Sequence, residues 1–221
     1  MSSKHAVLKD VFGFDGFRPG QERIVDCLLD GRHVLAVMPT GAGKSLTYQV
    51  PALCKGGLTI VVSPLVALMQ DQVAALKLAG VAAETINSAA SREDNVAIWK
   101  RVAAGEVRIL YMAPERLMTE RMIAALQRIG LSLIAIDEAH CISQWGASFR
   151  PEYDMLQNLR TAFPGVPIGA VTATADEATR QDINWKHFGG DADLSGAGFD
   201  RPKISLTVEP KSSTRKQLLA F

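Results

Sequence analysis

Short apolar runs alternate with longer amphipathic ones from about residue 33 to residue 171. The run 33–37, His-Val-Leu-Ala-Val, reads as a buried strand that feeds a glycine-bearing loop. Residues 44–53 read as a helix that stops near Gly56 and Gly57. Residues 58–62, Leu-Thr-Ile-Val-Val, are rich in β-branched side chains and predict a second strand. Residues 65–78 follow as a helix, with Leu65, Leu68, Val73 and Leu76 approximating one face. The alternation continues with a strand at 82–86, a helix at 92–103 and a strand at 107–111. Pro114 then opens a helix from its first turn, a position where its missing N–H costs nothing. Strands at 131–136 and 168–171 precede a helix from Asp176 to about Lys186.

Strands alternating with helices imply crossover connections, hence an α/β fold whose mainly parallel sheet carries helices on both faces. Two ends fall outside this core. Residues 12–21 read as a loop leading into a helix through about Leu29, while 189–198 reads as a loop. Residues 204–208 predict a last strand, and the final residues begin another helix. The expected organisation is an N-terminal segment over 1–30, a main domain over 31–209, and the start of a linker or further domain over 210–221.

The 221 residues are 48% hydrophobic, which suits a real core in one large domain or two small ones. Runs such as 58–62 and 131–136 are far too short to span a bilayer. Met-Ser-Ser-Lys-His at the N-terminus lacks the apolar stretch of a secretion signal, so a cytoplasmic location is the default expectation, the cytosol or nucleoid for a bacterial source. Cys27, Cys54 and Cys141 are odd in number and widely spaced, which predicts reduced, buried thiols rather than disulfides or a zinc site. A net charge of +1 offers no global attraction for nucleic acid, so any such contact needs a local surface.

The clearest chemistry lies at Thr40-Gly41-Ala42-Gly43-Lys44-Ser45. A triphosphate needs converging N–H groups, a mobile cation and a hydroxyl for magnesium. Gly41 and Gly43 permit left-handed backbone close to phosphate, and a helix starting near Lys44 aims its first amides at the same anion. Lys44 can reach terminal phosphates and Ser45 can ligate Mg2+. The general pattern wants a glycine where Met38 stands, although the strand–loop–helix setting is intact. The plainer alternative is a glycine turn with a solvated lysine. Asp137-Glu138-Ala139-His140 follows an apolar strand, and alone it would be read as a helix cap. In an open parallel sheet, ligands gather at the carboxyl ends of strands, so both loops are expected on one edge. Asp137 would hold magnesium and Glu138 would orient the attacking water, making Lys44, Asp137 and Glu138 the candidate catalytic set.

At this point the sequence resembles superfamily 2 helicases, with 39–45 and 137–140 matching their first two motifs. Phe12-Gly13-Phe14 with Phe17-Arg18-Pro19-Gly20-Gln21 is similar to the adenine-recognition motif of the RecQ branch. Residues 62–65, 111–117 and 171–175 resemble further motifs of that branch, and 141–146 running into 149–153 resembles its aromatic-rich loop. The resemblance extends from about Leu8 to Pro202 and implies a RecA-like P-loop motor using ATP and Mg2+ to move 3′ to 5′ on single-stranded DNA and open duplexes. It implies that Phe14 stacks on adenine with Arg18 and Gln21 near the base, and that Trp145 and Phe149 couple DNA to hydrolysis. Gln144, His140 and Arg150 join that coupling set, and Ser63, Asn87 and Thr172 at strand ends would meet a DNA backbone. Read without the family, Phe14 and Phe17 are core anchors, Trp145 and Phe149 pack the loop, Arg150 is a surface ion pair, and the three polar residues are caps or turns. Where the family usually carries His-Asp, this loop has Ala147 and Ser148, so its coupling is expected to be altered or rerouted.

The resemblance also implies a second RecA-like domain, starting near Arg215, that brings arginines to the phosphates, and further zinc and winged-helix modules. The chain stops at Phe221, so it reads as a piece of a longer protein. An arginine supplied in trans is worth about 10³–10⁵ in rate, and the expectation is weak nucleotide binding, poor hydrolysis and no unwinding. Two alternatives remain: an RNA helicase of the same superfamily, and a non-catalytic nucleotide switch. The Gln-Trp-Gly loop disfavours the first, and the joint presence of Lys44, Ser45, Asp137 and Glu138 disfavours the second. A small-molecule kinase would leave the other motifs unexplained.

Overall fold

A computed structural model of the chain describes residues 3–143 and 150–196. Seven strands form one parallel sheet: β1 (Val34–Val37), β2 (Leu58–Val62), β3 (Ala83–Ile86), β4 (Ile109–Met112), β5 (Leu131–Ile136), β6 (Ile168–Thr172) and β7 (Asp193–Gly196). Their order is β3-β4-β2-β5-β6-β1-β7, and every pairing is parallel. The helices are α1 (Lys4–Asp10), α2 (Gln21–Leu29), α3 (Leu46–Lys55), α4 (Val66–Leu78), α5 (Arg92–Ala103), α6 (Pro114–Leu117), α7 (Glu120–Ile129), α8 (Pro151–Asp154), α9 (Leu159–Ala162) and α10 (Glu177–Phe188), with 3₁₀ turns at Ala139–Ile142 and Met155–Asn158.

Strand residues alternate between two apolar layers. Val34, Ala36, Val61, Ile109, Tyr111, Leu133 and Ala135 pack with Leu28, Tyr48, Met69 and Val73 from α2, α3 and α4. Their neighbours Leu35, Ile60, Val62, Leu110, Met112, Ile134 and Ile136 face the other layer, with Leu117, Leu126, Tyr153 and Ile183. Burial on both faces explains why these strands read as continuous apolar runs. Local signals start two of the helices where expected. Ser91 and Asp176 cap α5 and α10 by accepting from Asp94 N and Thr179 N.

Several expectations shift. Helix α4 buries Met69, Val73 and Leu76, whereas Leu65 is exposed and Leu68 lies at the border. Val73 and Leu76 therefore face the core as predicted, and only in the first turn does Met69 take the place expected of Leu65 and Leu68. Residues 193–196, read as loop, form β7 and pair in parallel with β1, because the strand edge of β1 otherwise has open N–H and C=O groups. Helix α1 adds to the predicted elements; Val7 and Leu8 bury it against α2 and α3 beside Val25, Val50 and Cys54. The three cysteines are free and buried, as expected. Residues 204–208 and 210–221 lie outside the described residues.

Gly169 in β6 packs directly against α2. A Cβ there would come within 3.1 Å of Leu28 Cδ1 on α2. Gly169→Val is expected to destabilise the fold by about 1–3 kcal/mol through overpacking. Leu28→Ala in the same chain should recover part of that loss, so the double mutant is less destabilised than the sum of the singles. Urea denaturation of the four proteins measures this, and strict additivity would contradict it.

Candidate nucleotide site

Strand β6 lies between β1 and β5, so the loops leaving β1 and β5 open on one edge about 10 Å apart. A cleft of about 430 Å³ lies there, lined by Phe14, Arg18, Gln21, Thr40, Gly41, Gly43, Lys44, Ser45, Asp137 and Glu138. That volume falls in the usual range for a small-molecule site. The structure thus brings together the residues expected at adenine, phosphate and metal.

The loop 39–45 is held by its carbonyl oxygens. Arg18 Nη1 donates to Gly41 O, and Gln21 Nε2 donates to Ala42 O at 2.9 Å and Gly43 O at 3.1 Å. Gln21 Oε1 in turn accepts from Arg18 N at 2.8 Å. With the carbonyls tied to this segment, the N–H groups of Gly41, Gly43, Lys44 and Ser45 donate to no described residue. Four open donors in and after the loop that leads into a ten-residue helix could receive an anion through both hydrogen bonding and the helix dipole. Gly43 is required twice: its φ is +76°, and a Cβ would come 2.5 Å from Gln21 Nε2. Ser45 lines the cleft and makes no side-chain capping bond to α3. Met38, where the general pattern has glycine, is buried in the core against the sheet.

Gln21 is only 1% exposed, and both of its amide hydrogens serve the loop. What it can still offer adenine is the second lone pair of Oε1. Phe14 is 45% exposed at the cleft and is not the core anchor that a family-free reading suggests. Phe17 does pack inward, with an edge contact to His5.

At the end of β5, Asp137 is 6% exposed, and Glu138 has φ 50° and ψ 45°. Glu138 is the only described non-glycine residue with positive φ. Such backbone costs on the order of 1–2 kcal/mol and clusters at functional positions. It sets Glu138 N to donate to Asp137 Oδ1 at 2.9 Å, while Tyr153 Oη donates to Asp137 O at 3.1 Å. Burial, then the neighbouring Glu138 charge, pushes the Asp137 carboxyl up to about 6. The Cys141 thiol and then the Glu138 carboxylate raise His140 to about 9, and His140 lowers Glu138 in return. His140 is therefore an imidazolium at neutral pH. Its Nδ1–H lies 3.2 Å from Glu138 Oε2 and 2.8 Å from Thr172 Oγ1, joining the end of β5 to the end of β6.

The remaining candidates divide. Thr172 is fully buried, and its hydroxyl is used by His140 and by Thr174 O, so it meets the β5 loop rather than open surface. Ser63 is 1% exposed and its hydroxyl has no partner among the described residues. Asn87 accepts from Ala89 N and Ala90 N, a turn role that the plain reading allows. It also lines a second groove over the ends of β3 and β4. Arg150 is exposed; it donates to Pro64 O at 3.4 Å and its N–H to Cys141 O at 2.9 Å. Gln144, Trp145 and Phe149 lie outside the described residues, as do Ala147 and Ser148. Sequence reading misses Leu68 and Gln72 of α4, which line the cleft four residues apart on one stripe.

The folded chain holds the Asp137 proton more tightly than the unfolded chain, whose ordinary value is 3.8. The stability contributed by this group is full below that value and is lost as pH rises through about 6. At pH 8 the ionised carboxylate therefore costs stability. Asp137→Asn, which keeps an oxygen for Glu138 N, should raise the unfolding free energy at pH 8 by about 1–3 kcal/mol without added metal, and by less at pH 5. Denaturant titrations at the two pH values check this; equal or lower stability of the variant at pH 8 contradicts it.

Comparison with known proteins agrees with this geometry. The family described as DEAD/DEAH box helicase matches residues 18–183. The chain is 46% identical over 220 residues to the ATP-dependent DNA helicase RecQ of Haemophilus influenzae, covering 98% of this chain and 35% of that protein. It is 46% identical over 216 residues to the RecQ of Pasteurella multocida, covering 97% and 34%. The chain thus spans about a third of the length of these curated relatives. Among solved structures, a hypothetical ATP-dependent RNA helicase from Sulfolobus tokodaii shares the fold, with a TM-score of 0.69, 18% identity, and coverage of 89% of this chain and 57% of that one. On the match over 18–183, with the glycine loop and the Asp137–His140 turn meeting in one cleft, the chain belongs to the DEAD/DEAH box helicase family.

Proposed function

We propose that this chain is the ATP-binding motor domain of a RecQ-like 3′-to-5′ DNA helicase, one wall of an ATP site completed by a second RecA-like domain. One observation carries the reading: the unpartnered N–H groups at the start of α3 share a cleft with Lys44, Asp137 and Glu138. Phe14 offers a face for adenine, and Arg18 and Gln21 stand beside the base while bracing the loop. Thr40, Gly41, Ala42, Gly43 and Lys44 cradle the phosphates. The hydroxyl of Ser45 and the carboxylate of Asp137 suit Mg2+, a hard cation that takes few protein oxygens and shares substrate phosphates. Bound there, magnesium neutralises charge developing on the phosphates.

Glu138 orients and polarises the attacking water, and the His140 imidazolium holds its carboxylate in place. The His140–Thr172 bond ties this carboxylate's loop to the end of β6. For DNA, support comes from the groove over β3 and β4. It is lined by Val66, Val96 and Trp99, with Asn87 and the cations Arg92, Lys100, Arg116 and Arg121. A local basic and apolar surface supplies what a net charge of +1 does not. No helix among the described residues is long and apolar enough to cross a membrane.

Fluorescent-nucleotide titration of the chain should show MgATP binding that Lys44→Ala weakens at least tenfold. Glu138→Gln should retain binding and, in the longer protein, cut single-stranded-DNA-stimulated hydrolysis by about 10²–10⁴. Unchanged hydrolysis would show that Glu138 does not position the water. Stimulation by RNA equal to that by DNA would favour the RNA-helicase alternative.

A further inference from the structure

Gln72 belongs to the cleft but to none of the helicase-like motifs. It sits on α4 and is bonded across to α3, where Gln49 Nε2 donates to Gln72 Oε1 at 3.1 Å and to Tyr111 Oη at 3.2 Å. Gln49 is 5% exposed and Tyr111 1% exposed, so this brace is inside the protein. Burial also pushes the Tyr111 hydroxyl up to about 12, which keeps it neutral. With its oxygen engaged, Gln72 has both amide hydrogens left, and no described residue accepts from them.

Position along α3 shows which part of the cleft this donor serves. Gln49 N donates to Ser45 O at 2.9 Å, so Gln49 is one turn below the open N–H groups of Lys44 and Ser45. Arg18 and Gln21 approach the loop through its carbonyl oxygens instead. Gln72 thus lines the same cleft as Ser45 and is joined through Gln49 to the turn of α3 that follows it, whereas the N-terminal segment braces the loop itself. An N–H donor held there by buried partners meets an oxyanion with its orientation already set.

We propose that Gln72 is a nucleotide-binding residue whose side-chain amide donates to the terminal phosphate of ATP, with Gln49 and Tyr111 fixing its direction. The inference rests on the ATP reading of the cleft. It deepens that reading by giving the first wall of the site its own means of telling a triphosphate from a diphosphate.

The test measures MgATP and MgADP affinity by fluorescent-analogue displacement on the 221-residue chain, with thermal unfolding of each variant as a folding control. Gln72→Ala should weaken MgATP about 5- to 20-fold and leave MgADP within about twofold. Gln49→Leu, which removes only the brace, should weaken MgATP selectively but less. Gln72→Glu keeps the acceptor for Gln49 and sets a carboxylate against phosphate, so it should discriminate against MgATP more strongly than alanine does; it also serves if the alanine variant fails to fold. Equal losses for the two nucleotides, or unchanged MgATP binding, would overturn the proposal. Absence of MgATP binding by the unsubstituted chain would instead bring down the ATP reading beneath it.

Discussion

Three carbonyl oxygens of the glycine loop are tied down by one short N-terminal segment, and the chemistry of the cleft depends on that. A loop of small residues is free to turn its carbonyls or its N–H groups toward a ligand. Arg18 and Gln21 remove the choice by engaging Gly41 O, Ala42 O and Gly43 O. The N–H groups remain for an anion, next to the start of α3. Gly43 is the meeting point of both demands, since its positive φ and the close approach of Gln21 each exclude a side chain. The segment itself is anchored by packing. Helix α2 sits on α3 and on β1, and α1 closes the layer with Val7 and Leu8.

The acidic side of the cleft is built by different means. Asp137 and Glu138 end a strand with both faces buried, which delivers two carboxylates into a poorly solvated place. Burial opposes ionisation of Asp137, while the left-handed backbone of Glu138 and the His140 imidazolium hold the second carboxylate ionised and directed. Stability is thus given up where charge is needed. The His140–Thr172 bond extends the same polar cluster to β6 and joins the ends of β5 and β6.

Much of the fold and the cleft is legible in the sequence because it rests on local rules. Buried parallel strands announce themselves as apolar runs, and 58–62, 92–103 and 131–136 match the observed elements residue for residue. The glycine loop and Asp137–His140 are readable because phosphate and metal chemistry restrict residue type and spacing. What escapes depends on tertiary contact. β7 exists because the edge of β1 is available to it, and four residues of mixed polarity, Asp193 to Gly196, carry no period to reveal that. The pattern places Val73 and Leu76 of α4 correctly but misses Met69 in the first turn, since Leu65, Leu68 and Met69 are all apolar and only packing chooses among them. The burial of Thr172 and the doubly used amide of Gln21 likewise follow from neighbours distant in the chain.

The central claim, that the braced loop presents its N–H groups to phosphate beside Asp137 and Glu138, is tested most directly by amide NMR during titration with MgATP. The largest chemical-shift changes should fall on the N–H groups of Gly41, Gly43, Lys44, Ser45 and Glu138. Largest changes at the groove over β3 and β4, with the loop amides unmoved, would contradict it.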